Sequence, residues 1–379
     1  MKCFKNALVY VEGKGLVKTT VAFDEKIQAI EENVCAEEIK LPKGAIVLPG
    51  FVDQHVHGAG GSDGMDGTVE DLQTIATTLA KEGTTSFLVT TMTQSKENIL
   101  KALSAVKEFR ENESQGANAV GVHLEGPFIA AAYKGAQPLE YVVAPDIATF
   151  DEYNAASGNA IKIVTLAPET EGALDLVAHL TANGIVASVG HTGAKTEEIW
   201  KAIEVGACNV THTYNAQTAL HHREIGTVGS AMLYDELNAE MIADTIHVSV
   251  PAMRLLVKNK PKDKLTLITD AMRAKGLPDG VSELGGQTVY VKNGEARLAD
   301  GTLAGSVLQM NRAIQNVVEK VGVPFTQAVD YATINPAKNL GLDNEIGSIK
   351  VGKRADFTVI NENYDILYTV VGGKIVYNA

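Results

Sequence analysis

The stretch Pro49-Gly50-Phe51-Val52-Asp53-Gln54-His55-Val56-His57-Gly58 decides how the rest of the chain is read. Just before it begins, Ala45 to Leu48 is a short apolar run and reads as a buried strand. His55 and His57 are two residues apart, so on an extended segment both side chains face the same way. Two imidazoles aimed at one point suit a metal ion, because neutral imidazole is the commonest protein metal ligand. Gly58, Gly60 and Gly61 then let the backbone turn sharply away. Two ordinary hydrogen-bonded histidines at a strand end are the competing reading, and the pair alone does not choose between them.

Working outward, the chain alternates strand and helix. Thr68 to Glu82 has Leu72, Ile75, Ala76 and Leu79 at helical spacing and stops at Gly83. Lys96 to Phe109, Gly172 to Asn183 and Thr196 to Val205 read as further helices. Between them Thr85 to Thr90, Ala119 to Leu124, Ile161 to Leu166, Ile185 to Val189, Asn209 to Thr211, Glu240 to Ala243 and Leu265 to Thr269 read as strands. Counted from Ile46, this makes eight strand candidates, and repeated β–α units of that number imply a (β/α)8 TIM barrel. Glu125, His191, His212, His247 and Asp270 all follow the C-terminal end of a predicted strand, where such barrels carry their active sites. A doubly wound open sheet also binds at strand ends, but at one crevice instead of around a ring.

Both termini read as β-rich. Ala7 to Tyr10, Thr20 to Phe23 and Ile27 to Ile30 open the chain, and Asp356 to Ile360, Leu367 to Val371 and Lys374 to Tyr377 close it. Neither end has enough strands to bury a core alone, so a small composite β-sandwich of residues 1–48 and 345–379 is expected beside a barrel of residues 49–344. A hairpin is expected at Val289 to Leu298, turning on Asn293-Gly294. Helices are expected near Ser306 to Val321 and Phe325 to Ala332.

The 379 residues are 45% hydrophobic and 21% charged, which fits a globular chain. No apolar run is long enough to cross a bilayer and no signal peptide is evident, so no membrane partner and a cytoplasmic location are expected. A formal charge of −13 and the lack of a basic patch argue against nucleic acid. Cys3, Cys35 and Cys208 are odd in number and far apart, which suggests a reducing compartment without disulfides or a thiolate zinc site.

One histidine at a strand end is commonly structural. Four histidines and two carboxylates at the ends of different strands of one barrel are hard to explain that way. Such mixed ligands suit divalent zinc, iron or manganese. A metal with an open position generates a nucleophilic water and polarises a carbonyl. The residues also resemble the amidohydrolase superfamily and, within it, the N-acetylglucosamine-6-phosphate deacetylase family. The matching stretches are Pro49 to Asp53 with His55-x-His57-Gly58, His123-Leu124-Glu125-Gly126-Pro127-Phe128, Gly190-His191-Thr192, Thr211-His212-x-Tyr214-Asn215-Ala216, Ile242-Ala243-Asp244 with His247-Val248, Thr269-Asp270-Ala271, and Leu303-Ala304-Gly305-Ser306. The HxH element marks only the superfamily, whereas the His-Leu-Glu-Gly-Pro and Tyr-Asn-Ala elements point to the deacetylase branch.

The resemblance implies that Glu125, His191 and His212 hold a principal metal, zinc or iron. His55 and His57 would hold a second ion, with Glu125 bridging, so one or two ions per subunit are expected. Asp270 would be the catalytic base and then protonate the leaving amine; a helix N-cap is its structural alternative. His247, Asn215 and Ala216 would contact the substrate. Arg223 would reach the phosphate in a neighbouring subunit of a homodimer, a role its planar fork suits. Leu303, Ala304 and Gly305 would pack over the sugar, and Ala136 and Gln137 would line it. Gln137 stands where some relatives carry a histidine. His221 and His222 lie beside Arg223, and His179 receives no role.

The implied reaction is deacetylation of N-acetylglucosamine 6-phosphate in amino-sugar catabolism and cell-wall sugar recycling. The alternatives are the galactosamine epimer, a cyclic amidase, and a non-catalytic metal-binding paralogue. The cyclic amidases usually need a carboxylated lysine, where Glu125 stands here.

Overall fold

The computed structural model describes residues 1–31, 35–112 and 114–379. Eight parallel strands form one sheet in sequential order: β1 (Phe51–Val56), β2 (Thr84–Thr90), β3 (Asn118–Glu125), β4 (Ile161–Leu166), β5 (Val186–Val189), β6 (Asn209–Val210), β7 (Asn238–Ile242) and β8 (Leu265–Ile268). The seam between β1 and β8 is sewn at the C-terminal rim. There the Asp270 amide donates to the His55 carbonyl at 2.8 Å, and the His57 amide donates to the Ala271 carbonyl at 2.9 Å. The barrel therefore closes at the point where the histidine pair and Asp270 emerge.

Local chemistry explains why the connecting helices form. Val69–Ala80 starts on Thr68, whose hydroxyl accepts from the Asp71 amide, and buries Leu72, Ile75, Ala76 and Leu79. Lys96–Glu111 starts on Ser95 in the same way and buries Ile99, Leu103, Val106 and Phe109. Three helices escape the sequence pattern. Ile147–Ala156 buries only Phe150 and Tyr153, too few positions to define a period. Gly226–Leu233 is buried on nearly every side and carries two glycines. Val250–Asn259 has Pro251 in its first turn, where proline is tolerated but disguises the pattern.

The two termini join in one continuous eight-stranded sheet, in which Ile46–Pro49 lies between Lys2–Val11 and Phe357–Ile360. Phe4 and Phe357 lie on strands flanking Ile46–Pro49, yet their ring centroids are 5.4 Å apart and each ring also meets Phe23. Two strand spacings of a flat sheet would hold them at about 9.5 Å, so this sheet curls over its own core.

Two expectations need correction. The apolar run ending at Leu48 belongs to the terminal sheet, and a separate strand, β1, carries the histidines. Gly50 divides the two: a Cβ there would sit 2.1 Å from the Thr85 hydroxyl. Cys3 and Cys35 form a disulfide, with Cα atoms 5.6 Å apart. Their separation in sequence hid this, but Glu37–Glu38 pairs in parallel with Lys2 and Cys3 and brings Cys35 alongside. The expected hairpin gains a third strand, Gly280–Leu284, paired with Gln287–Lys292.

The β1–β8 seam has a second fastening below the rim. Lys275, 1% exposed, donates to Glu82 at 2.6 Å, while the Thr269 hydroxyl donates to Asp53 of β1 at 2.5 Å. Burial pushes the Asp53 and Glu82 carboxyls up and the Lys275 ammonium pulls them down. Lys275→Met leaves two buried carboxyls without their cation and should cost about 3–5 kcal/mol in urea denaturation. Adding Glu82→Gln to that variant should recover part of the loss.

Candidate active site

Glu125, at the last position of β3, is the centre of the site and is 2% exposed. Its Oε1 lies 3.2 Å from His191 Nε2, 3.0 Å from His212 Nε2 and 3.5 Å from His55 Nε2. Its Oε2 lies 3.2 Å from His57 Nε2. Asp270 faces the same two histidines from the opposite side, with Oδ1 3.4 Å from His55 Nε2 and 3.3 Å from His57 Nε2. The structure thus brings together six of the residues that the sequence placed at strand ends: five fall in two groups that share Glu125, and Asp270 lies against the histidine pair of the first.

The backbone turns abruptly to achieve this. His191, His212 and Asp270 have φ of 47°, 29° and 47°, a left-handed conformation that residues with a Cβ seldom adopt. Each costs roughly 1–3 kcal/mol and persists only where its surroundings enforce it. Here hydrogen bonds between neighbouring loops do so: the Thr192 amide donates to the Ala216 carbonyl and the Thr213 amide to the Glu240 carbonyl. Gly126, directly after Glu125, has φ of 71°, and a Cβ there would meet the Thr93 hydroxyl at 2.1 Å.

Charge is concentrated in the site. Burial disfavours the charged form of His55, but Asp270, Glu125 and Glu240 outweigh it and raise its pKa to about 9. His57 is raised well above the usual imidazole range, with Asp270 and Glu125 overcoming burial. Burial pushes Asp270 up, and His55 and His57 bring it down to about 2. Asp270 is therefore a carboxylate at neutral pH and can accept a proton. His123 is the exception, lowered to about 3 by burial and by His55. Both its ring nitrogens are engaged, with the Gln54 carbonyl at 3.1 Å and the Thr165 hydroxyl at 2.7 Å. His123 thus has no free ligand atom, and its grouping with His55 and Glu240 is structural.

Sequence reasoning missed the layer beneath the rim. Glu240, in the middle of β7 and fully buried, lies 3.2 Å from His55 Nδ1 and accepts from the His212 amide at 3.1 Å and from Gln54 at 2.7 Å. A register irregularity between Asp53 and Val56 lets the consecutive side chains of Gln54 and His55 both reach it. The only signal in sequence was a carboxylate inside an otherwise apolar strand pattern.

A pocket of about 380 Å³ opens above the cluster. Every residue expected to meet substrate lines it except two: Ala304 is buried beneath the loop, and Arg223 lies exposed on the surface, beside His222. Gln137 lines the pocket, but its amide is already held at both ends. It donates to Glu125 Oε2 at 2.8 Å and accepts from the Thr93 amide at 2.7 Å. His247 is held by Asp244 at 2.6 Å. His179 pairs with Asp151 at the surface.

These donors fit a divalent metal. The ligand atoms of Glu125, His191 and His212 are 3.0–3.2 Å apart, close to the roughly 3.3 Å edge of a tetrahedron built on ~2 Å bonds. His55 Nε2 is buried without any hydrogen bond, a costly state that a ligand bond removes. Ligation requires neutral imidazole, so an ion taken up by His55 and His57 at pH 7 should release about two protons. Calorimetry in buffers of different ionisation enthalpy should show that release, declining as pH rises past 9. In the metal-free protein, the raised pKa of His55 contributes stability below pH 6.5 that is lost as pH rises through about 9.

Comparison with known proteins agrees with this geometry. The sequence model of the Amidohydrolase family matches residues 46–376. The N-acetylglucosamine-6-phosphate deacetylase of Bacillus subtilis (strain 168) is 42% identical over 345 residues, 90% of this chain and 87% of that protein. The N-acetylgalactosamine-6-phosphate deacetylase of Escherichia coli O157:H7 is 37% identical over 330 residues, 87% of each. The crystal structure of N-acetylglucosamine-6-phosphate deacetylase from Pasteurella multocida is similar with a TM-score of 0.94 at 31% identity, covering 100% of both chains. With the match running from the strand before β1 into the last strand of the terminal sheet, and with metal-type ligands at the barrel rim, the chain belongs to the amidohydrolase family.

Proposed function

We propose that the protein hydrolyses the N-acetyl group of N-acetylglucosamine 6-phosphate, giving glucosamine 6-phosphate and acetate. The observation that carries this reading is the ionised Asp270 carboxylate facing the Glu125–histidine cluster at the floor of a sugar-sized pocket. The higher identity to the Bacillus subtilis N-acetylglucosamine-6-phosphate deacetylase, 42% against 37% for the galactosamine enzyme, supports the choice of substrate.

The roles follow from position. Glu125, His191 and His212 hold the principal ion, zinc or iron, and His55 and His57 a second. When bound, such an ion acidifies water and polarises the acetyl carbonyl. Asp270 takes the proton from the attacking water and returns it to the departing amine. Gln137 holds Glu125 in orientation and borders the acetyl group with Ala136. His247, Asn215 and Ala216 bind the sugar and its substituents, and Leu303, Ala304 and Gly305 close over its ring. Arg223 serves the phosphate in the partner subunit of a homodimer. Its exposure away from its own pocket supports that role, as do the exposed Leu220 and Leu233 on the same stretch of chain. The hydrolase barrel is residues 49–344, with 1–48 and 345–379 forming the composite β domain. Phosphorylated sugars do not cross bilayers, so this reading places the protein in the cytoplasm. The complete ligand set with Asp270 weighs against a non-catalytic paralogue.

Metal-loaded protein should release acetate from N-acetylglucosamine 6-phosphate and stop when a chelator is added. Faster turnover of the galactosamine epimer would reassign the substrate, and no release from either would remove the reading. Asp270→Asn should lower kcat by about 10²–10⁴-fold while elemental analysis shows unchanged metal content. Arg223→Ala should raise KM without altering that content.

A further inference from the structure

The interior of the barrel below the metal-type ligands is polar. Asn209 donates to Ser188 at 2.7 Å and to Glu240 at 3.2 Å. Asn238 donates to Asn209 at 2.6 Å, and Thr266 donates to Asn238 at 3.1 Å. Asn339, from the helix Ile334–Asn339, reaches Gln54 and Asn209. These side chains come from β1, β5, β6, β7 and β8 and tie the strands together. Within this network Glu240 is the charged member, and its partners are arranged unusually.

Glu240 Oε1 accepts from Gln54 Nε2 and Asn209 Nδ2, and Oε2 accepts from the backbone amide of His212. The Gln54 amide cannot be turned round, because its Oε1 already accepts from Asn339. Glu240 is thus surrounded by donors and acts as an acceptor at both oxygens. The remaining neighbour of Oε2, His55 Nδ1 at 3.2 Å, must carry a hydrogen. A neutral imidazole with hydrogen on Nδ1 has its lone pair on Nε2. That atom is the one aimed at Glu125 and Asp270, buried and without a hydrogen bond.

We infer that Glu240 is a positioning residue for the second ion: by accepting from His55 Nδ1 it fixes the ring and its tautomer so that Nε2 is a ligand. This rests on the reading that His55 and His57 hold an ion. The principal ion depends on Glu240 less directly, since His212 meets it only through a backbone amide that other acceptors can satisfy. Partners of ligand histidines generally change metal affinity by about 10- to 100-fold when removed. The effect should therefore be selective between two adjacent ions that share Glu125.

The test is zinc affinity by chelator competition in the full-length wild type and in Glu240→Gln, His55→Asn and Thr266→Val. Glu240→Gln preserves shape but puts an amide donor among donors. The wild type should take up two zinc ions. Glu240→Gln should weaken one by about 10- to 100-fold and leave the other within about 3-fold, in the pattern of His55→Asn. Thr266→Val breaks the same network at a residue four hydrogen bonds away from His55; it should lower the melting temperature without changing the ratio of the two affinities. Equal weakening of both ions in Glu240→Gln and Thr266→Val would reduce Glu240 to a structural part of the core. No change in Glu240→Gln would overturn the proposal outright. A wild type that binds one zinc, unaffected by His55→Asn, would instead remove the reading of the histidine pair and the proposal with it.

Discussion

A single buried carboxylate facing four imidazoles is the constraint around which this molecule is arranged. Glu125 meets His55, His57, His191 and His212 within 3.5 Å. Burying an ionised carboxylate alone costs several kcal/mol, and burial does push Glu125 upward. His55 and hydrogen bonds from the other histidines reverse this and hold its pKa well below the usual carboxylate range. That stabilisation exists only if side chains from four different strand ends converge, and closing the barrel is what makes them converge.

The barrel does not carry this burden with an apolar interior. Where many barrels fill the axis with branched hydrocarbons, this one places Gln54, Asn209, Asn238 and Glu240 on its strands and plugs the floor with Asn339. A fully satisfied polar network has few alternative packings, because each shift leaves a buried donor or acceptor unpaired. The apolar core lies instead between sheet and helices, where residues such as Leu72, Phe87, Leu103 and Leu124 are fully buried. The two kinds of interior divide the work. Hydrocarbon burial drives folding, while hydrogen bonds fix the directions in which the rim residues point.

The parts outside the barrel frame the pocket. The three-stranded unit from Gly280 to Arg297 reaches back to the loop of the substrate wall, where Gln287 donates to the Ala136 carbonyl at 2.6 Å. Leu284 of the same unit lines the pocket. The curled terminal sheet is fastened to the barrel by Thr358 and Thr369, whose hydroxyls donate to the carbonyls of Gly83 and Ala80. The C-terminal strands are thereby tied to the helix and turn that lead into β2. No helix among the described residues is long and apolar enough to cross a membrane.

Much of this was legible before any coordinates. Strand and helix follow from the two hydrophobic periods, and bounds such as Ile161–Leu166 agree to the residue. The five metal-type residues and Asp270 were readable because they stand at or near strand ends, and parallel strands of a barrel share one rim. What the chain order could not convey were interactions between residues far apart along it. Glu240 looked like one charge in a short strand until β1 placed Gln54 and His55 against it. Cys3 and Cys35 seemed unrelated until a two-residue strand set them side by side, and Gln137 seemed free until its amide met Glu125 and Thr93. Local sequence dictates which elements form and which side chains stand at their ends, since those depend on neighbours a few residues away. Which of those side chains touch, which are charged and which are held by a partner was settled only when the β1–β8 seam closed, because such contacts are made through space across more than two hundred residues.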